Sequence, residues 1–438
     1  MRHLVILPVL LPLVAGCLLL LGAGRSLAVR RAIGVAATMA LVPVAILLLG
    51  TVLDGSYHVY AMGGWAPPFG IVLVADRLSA LMVMLTAVVA GASVVYATTG
   101  DDAAGPHFHA LFQFQLLGIN GAFLTGDLFN LFVFFEILLI ASYALLLHGL
   151  GAQRVRAAVH VVVLNLVASA LFLFAVGTLY AATGTLNLAD LARVVPSLEG
   201  GAVPLARVGA LLLLVVFALK AAILPLSFWL PPSYAASTAA VAALFAVLTK
   251  VGVYAILRIY PLVFGEDAGP LAGVAVPWVQ PAALVTVAFG ALGVLGARTL
   301  RAATAWLVLY SVGTLMVAVG LFSERGYAAA VFYTVHSTLA SAALFLVADL
   351  VARQRPDAAD SLTAREPVVQ ATMLGTLFLV GAVAMAGLPP LTGFAGKVMI
   401  LGAAGERDAA WLVWAVLLGA GLVVIVGLAR AGSSLFWR

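Results

Sequence analysis

Apolar runs long enough to cross a bilayer follow one another along nearly the whole of this 438-residue chain, and that pattern restricts solvent and fold together. With 64% of residues apolar and 9% charged, the chain reads as an integral membrane protein. An open sheet cannot cross lipid with its backbone groups unpaired, and unbroken runs lack the short alternating segments of a barrel, so the spans are helices. The expected fold class is an all-α polytopic membrane protein. Thirteen segments are long enough to span: 3–23, 31–53, 71–98, 109–125, 128–148, 157–182, 205–228, 234–260, 272–297, 301–322, 326–351, 367–404 and 410–430. The twelfth is too long for one straight span and contains "GLPPLTG" at 387–393, which reads as a break in the helix. In the first, "VAGC" resembles a lipoprotein cleavage box, but the apolar run continues past Cys17 through Leu21. The segment is therefore read as a retained span, with Cys17 a small packing residue.

Assigning the loops alternately to two sides puts twelve arginines on one face, among them Arg25, Arg30, Arg31, Arg154, Arg156, Arg365 and Arg438. Six fall on the other, including Arg2, Arg193 and Arg407. The positive-inside rule makes the first face cytoplasmic, with the N-terminus outside and residue 438 inside. The net charge of +5 is this loop bias, and no basic cluster calls for nucleic acid. Loops 54–70, 183–204 and 352–366 are too short for a soluble domain, although "TLNLADLARVVPSL" at 185–198 reads as a short helix at the outer interface. Without a phosphate-binding glycine loop or a His/Cys cluster, the sequence calls for no cofactor and no metal. Function must then lie with charges embedded in the membrane.

Those charges are few. Of the 22 basic residues only three are lysines, and Lys220, Lys250 and Lys397 all fall within hydrophobic segments. Arginine stays protonated in practice, whereas burial disfavours a lysine ammonium enough for it to exchange a proton near neutral pH. "TGDLFNLFVFFEILLIASYALLLHG" at 125–149 carries one carboxylate, Glu136, near its middle. At about 2.5 to 3.5 kcal/mol each, these four residues cost on the order of 10 kcal/mol unless paired or hydrated. Snorkelling to the headgroups is the competing account, and it fits Lys250, in a long segment, better than Glu136. Adjacent Asp76 and Arg77, near the start of segment 3, read as a local interfacial feature.

Two lysines lie beside proline breaks. Lys220 precedes Pro225, Pro231 and Pro232 in "FALKAAILPLSFWLPPSYAAS", and Lys397 follows Pro389 and Pro390 in "AGLPPLTGFAGKVMIL". Backbone groups freed at mid-membrane are tolerable where they line a polar cavity, and paired broken helices in two halves of a chain point to an inverted-repeat transporter. His336, in "FYTVHSTLASAALFLVADL", adds a group that titrates close to neutrality. His160, Asn165 and Ser169 in segment 6 are polar enough to hold waters, or to be ordinary interhelical hydrogen bonds.

"TGDLFNLFVFFEILLIASYALL", "ALKAAILPLSFWLPPSYAASTAAVAALFAVLTKVGVYAILRIY", "YTVHSTLASAALFLVADL" and "AGLPPLTGFAGKVMIL" closely resemble the D subunit of Mrp-type multisubunit sodium/proton antiporters. That branch belongs with the antiporter-like subunits of respiratory complex I and membrane-bound hydrogenases. The resemblance implies two inverted five-helix units at 109–260 and 261–438 after an N-terminal three-helix segment, 1–108. Relatives usually have fourteen spans, so a final helix is missing from that pattern. It also implies that Glu136 is the segment 5 glutamate, Lys220 the segment 7 lysine that pairs with it, and Lys250 the central segment 8 lysine. His336 becomes the segment 11 histidine and Lys397 the terminal segment 12 lysine. The function so implied is a secondary transporter subunit, not an enzyme, that relays protons through these residues in the bacterial inner membrane. Its partners would be H+, Na+, the lipid bilayer and other Mrp subunits, especially the large A subunit and the small membrane subunits. No compact carboxylate cluster for sodium is visible in the chain. The alternative is a proton-pumping subunit of a complex I-like or hydrogenase complex, and a passive scaffold bundle is a third reading, of a different class.

Overall fold

The computed structural model describes residues 2–22, 24–363, 366–405 and 410–437. Arg365, Arg407 and Arg438, counted above for orientation, lie outside the described residues. Two compact units emerge, the first comprising residues 1–217 and 254–275, the second 218–253 and 276–438.

In the first unit, α1 (Leu7–Leu21) and α2 (Leu27–Gly50) lead to a hairpin of β1 (His58–Ala61) and β2 (Val72–Ala75). There follow α3 (Arg77–Ala97), α4 (Phe108–Leu124), α5 (Leu128–Leu147), α6 (Ala152–Thr183) and short α7 (Leu188–Val194), the last where residues 185–198 read as a short helix. The hairpin corrects the reading of residues 71–76 as part of a span: "VLVA" pairs with "HVYA", and the helix starts only at Arg77, where Asp76 and Ser79 form a capping box. Cys17 is exposed on α1 and packs into no core, another correction.

The next helices are α8 (Ala202–Ala221), α9 (Leu230–Ala236), α10 (Ala239–Phe245) and α11 (Leu248–Val263). The second unit continues with α12 (Val276–Gly296), α13 (Leu300–Val319), α14 (Glu324–Arg353), α15 (Ala371–Ala386), α16 (Thr392–Ala404) and α17 (Ala410–Phe436). Among the described residues ten helical stretches are long and apolar enough to span, and α1, α15 and α16 are shorter apolar helices. The seventeen-residue α4 falls in neither group, so this measure does not establish a count of thirteen.

Close helix packing rests on small residues. A Cβ on Gly118 of α4 would come within 2.6 Å of the Leu138 backbone nitrogen of α5, and one on Gly290 of α12 within 2.6 Å of the Tyr310 nitrogen of α13. The buried polar face of α4 has a backbone origin. Pro12 has no N–H to offer the Pro8 carbonyl one turn back in α1, and Asn120 Nδ2 donates to that carbonyl at 2.9 Å. Gln113 donates to Gly34 O at 3.1 Å and to Thr38 Oγ1 at 2.8 Å on α2.

Below these, Asp102 accepts Arg31 Nε at 2.6 Å and lies 3.0 Å from His109 Nε2. Burial pushes its carboxyl up, but Arg31 and His109 together outweigh burial and hold it below the ordinary carboxylate value. A depressed carboxyl stabilises the fold above its unfolded-state value, and that contribution disappears as pH falls through the lower folded-state value. Asp102→Asn should therefore lower stability by roughly 1 to 3 kcal/mol at neutral pH. The deficit should begin to shrink below about pH 4, where the unfolded chain takes up its proton, and should vanish once the folded parent is protonated as well. Thermal melting of the detergent-purified protein at the two pH values checks this, and a deficit independent of pH would contradict it.

Candidate functional site

In the second unit the helix carrying Lys220 stops one residue later. Ile223 N–H reaches back to Ala218 O at 2.8 Å, and Ala222 takes the left-handed conformation at φ 61°, a strained position for a residue with a side chain. Pro225 offers no N–H with which to resume the helix. The groups released find other partners: Trp229 Nε1 donates to Leu219 O at 3.1 Å, and Leu224 N–H donates to Thr286 Oγ1 at 3.0 Å. Lys220 is 5% exposed.

A second interruption, at residues 246–247, separates α10 from α11 and was not expected from sequence. Lys250 follows directly, in the first turn of α11, fully buried, with Nζ donating to Ser311 Oγ at 3.2 Å. Gly252 lies against the Lys220–Ala221 backbone, where its Cβ would come within 2.7 Å of the Lys220 carbonyl carbon. The break after Lys220 and the segment bearing Lys250 are thus neighbours. Full burial excludes snorkelling for Lys250.

The break expected at 387–393 is present between α15 and α16. Gly387 ends α15 at φ 74°, and its missing Cβ matters twice, since one would lie 2.6 Å from Lys397 Cδ. Lys397 reaches back from α16 to donate to Ala386 O at 2.5 Å, placing its ammonium at the negative end of α15. Lys250, by contrast, sits at the start of a helix, the end that disfavours positive charge. His336 Nδ1 is 2.8 Å from Thr392 Oγ1, the first residue of α16, and its Nε2 has no hydrogen-bond partner among the described residues.

His336 and Lys397 therefore share one cluster, joined by Tyr310 and Tyr333, which sequence reasoning missed. The Tyr310 ring lies 5.2 Å from Lys397 Nζ, and the Tyr333 ring 5.3 Å from that of His336. An aromatic on an apolar helix reads as core packing. The available signal was the choice of phenol over phenylalanine at two fully buried positions.

Glu136, in the first unit, is half-buried on α5 and accepts a hydrogen bond from Ser169 of α6. Of the other polar residues in segment 6, His160 is exposed, with Nδ1 3.0 Å from Arg156 O, and Asn165 Nδ2 donates to Val161 O at 2.8 Å. Asp76 forms an ion pair with Arg258, and Arg77 Nη2 donates to Leu53 O at 2.7 Å. A first-unit cavity of about 490 Å³, lined by Thr125, Asn187, Asp190, Arg193 and Arg258, is bordered by none of the five proposed relay residues.

A polytopic helical protein whose broken helices present buried lysines to hydroxyls, a histidine and a free carbonyl has the makings of a proton-conducting membrane subunit. The chain belongs to the NADH:quinone oxidoreductase/Mrp antiporter transmembrane family, whose model matches residues 125–423. It is 43% identical to the probable K(+)/H(+) antiporter D subunit of Rhizobium meliloti, over 99% of this chain and 87% of that one. To the Na(+)/H(+) antiporter D subunit of Alkalihalophilus pseudofirmus it is 38% identical, over 100% of this chain and 87% of that one. Among solved structures, a chain of the Mrp complex from a Dietzia species is similar with a TM-score of 0.89 at 29% identity, covering 99% of this chain and 80% of that one. A chain of the membrane-bound sulfane sulfur reductase, an archaeal respiratory membrane complex, aligns with a TM-score of 0.92 at 26% identity, covering 100% of this chain and 88% of that one.

Proposed function

We propose that this chain is the proton-translocating D subunit of a multisubunit monovalent cation/proton antiporter, and that Glu136, Lys220, Lys250, His336 and Lys397 relay the protons. The observation that carries the reading is Lys250: a fully buried lysine, bonded to a hydroxyl and sharing no salt bridge with a carboxylate among the described residues. Such a group is expensive to keep and suited to exchanging a proton. Glu136 acts as a switchable counter-ion. Paired with Lys220 it keeps that lysine charged, and when the pair separates Lys220 passes its proton toward Lys250, His336 and Lys397. The breaks at 222–229 and 387–391 fall one in each proposed inverted unit, 109–260 and 261–438, which supports the broken helices as the moving or hydrated parts.

The protein works in a bacterial inner membrane with its N-terminus outside, assembled with the large A subunit and the small Mrp subunits. Identities of 43% and 38% to antiporter subunits against 26% to the sulfane sulfur reductase chain favour exchange over redox-driven pumping. The two relatives are named for K(+)/H(+) and Na(+)/H(+) exchange, so K+ and Na+ are the cations to test. Everted vesicles containing the assembled complex should release a preformed proton gradient on addition of one of these cations, without an electron donor. Proton movement that requires an electron donor and ignores both cations would instead support the respiratory reading.

A further inference from the structure

In the second unit α13 meets two buried lysines with consecutive residues. Ser311 takes the hydrogen bond from Lys250, and Tyr310 places its ring beneath Lys397. Tyr333, on α14, packs over Gly396, where a Cβ would come within 2.8 Å of its ring, and so stands next to Lys397 in sequence register as well as beside His336. Both tyrosines are 0% exposed, and the Thr314 hydroxyl, one turn along α13 from Tyr310, is the polar neighbour of both phenol hydroxyls. Gly421 of α17 leaves space beside them: a Cβ there would lie 3.5 Å from Lys397 Nζ and 3.8 Å from the Tyr310 hydroxyl.

Taking a phenol hydroxyl out of water costs free energy that phenylalanine would avoid in nearly the same volume. What a phenol adds is a proton it can accept and release. We propose that Tyr310 and Tyr333 are further relay residues, their hydroxyls passing protons between Lys250 and Lys397, with Ser311 and Thr314 as the intervening hydroxyls. This rests on the lysine relay proposed above. In each transfer the donor lysine's N–H breaks as an O–H forms on the neighbouring hydroxyl, each hydroxyl and phenol along the path gives up its own proton as it gains one, and the last O–H breaks as an N–H forms on the neutral acceptor lysine. The tyrosine is neutral before and after, so no oxidant or counter-ion is needed.

The test uses the full chain in its assembled complex, in everted vesicles, with cation-dependent proton flux normalised to inserted protein. Tyr310→Phe and Tyr333→Phe should each lower the maximal rate at least about tenfold. The cation concentration giving half the maximal rate should stay unchanged, and the melting temperature should be equal or higher. A merely structural role predicts the reverse, a lower melting temperature with flux per copy intact. Lys250→Ala and Lys397→Ala serve as references. Parental flux in the Tyr310→Phe/Tyr333→Phe double variant while both lysine variants are inactive would overturn the tyrosine assignment and leave the lysine relay standing. Parental flux in the lysine variants would overturn both.

Discussion

Glu136→Ala is expected to abolish cation-coupled proton flux while leaving the protein inserted at parental abundance. A carboxylate at mid-span opposes insertion by about 2.5 to 3.5 kcal/mol, so deleting it removes a cost and should not reduce the amount of protein in the membrane. The loss of flux has a specific origin. Ser169 donates its hydroxyl proton to Glu136, which satisfies one carboxylate oxygen and holds the side chain in place but supplies no charge. A neutral glutamine could accept the same bond. Glu136→Gln therefore separates the two uses of the residue: if its charge switches a lysine, the glutamine variant is as inactive as the alanine one, and if it is only a hydrogen-bond acceptor, the glutamine variant works. Flux near parental levels in either variant would remove Glu136 from the mechanism. Ser169→Ala should slow transport without stopping it, since it loosens the carboxylate and leaves the charge.

The five relay candidates were legible in the sequence because charge in a hydrophobic segment is rare and costly, and the break beside Lys397 was legible because "GLPPLTG" contains residues that cannot continue a helix. The interruption between α10 and α11 was not, because "LFAVLTK" holds no glycine or proline and keeps an apolar pattern through Ala246 and Val247. Ala246 and Val247 keep local N–H partners in Ala242 O and Leu244 O, but Phe245 O accepts the Tyr234 hydroxyl at 2.6 Å, a contact no local pattern reports. The β-hairpin was hidden for another reason. "VLVA" joins an apolar run that continues into α3, and alternation over four residues is too short to separate a strand from the start of a span. Tyr310, Tyr333 and Ser311 escaped notice because polar groups on an apolar helix acquire meaning only from what faces them. Lys250 and Lys397 face these residues from helices distant in sequence.

Lys250→Arg is expected to be inactive although it keeps the positive charge. Arginine remains protonated at any pH the protein would meet, so a residue that must release its proton fails with arginine, while one that only supplies a fixed charge survives. The surroundings sharpen the contrast. The site gives the ammonium one hydroxyl acceptor, Ser311, and places it at the start of α11, where the helix dipole opposes positive charge. No carboxylate among the described residues forms a salt bridge with Lys250. Because Gly252 already presses against the Lys220–Ala221 backbone, the larger guanidinium could also fail by crowding, and Lys250→Met answers that by keeping the length of the chain and removing the charge. A relay predicts that both variants are inactive with near-parental melting of the methionine form. An electrostatic anchor predicts an active arginine form and an inactive methionine form. Flux in vesicles from about pH 7 to about pH 9 decides between them, since a lysine that exchanges its proton gives a rate that changes with pH, and arginine, locked in its charged form, gives none of that change.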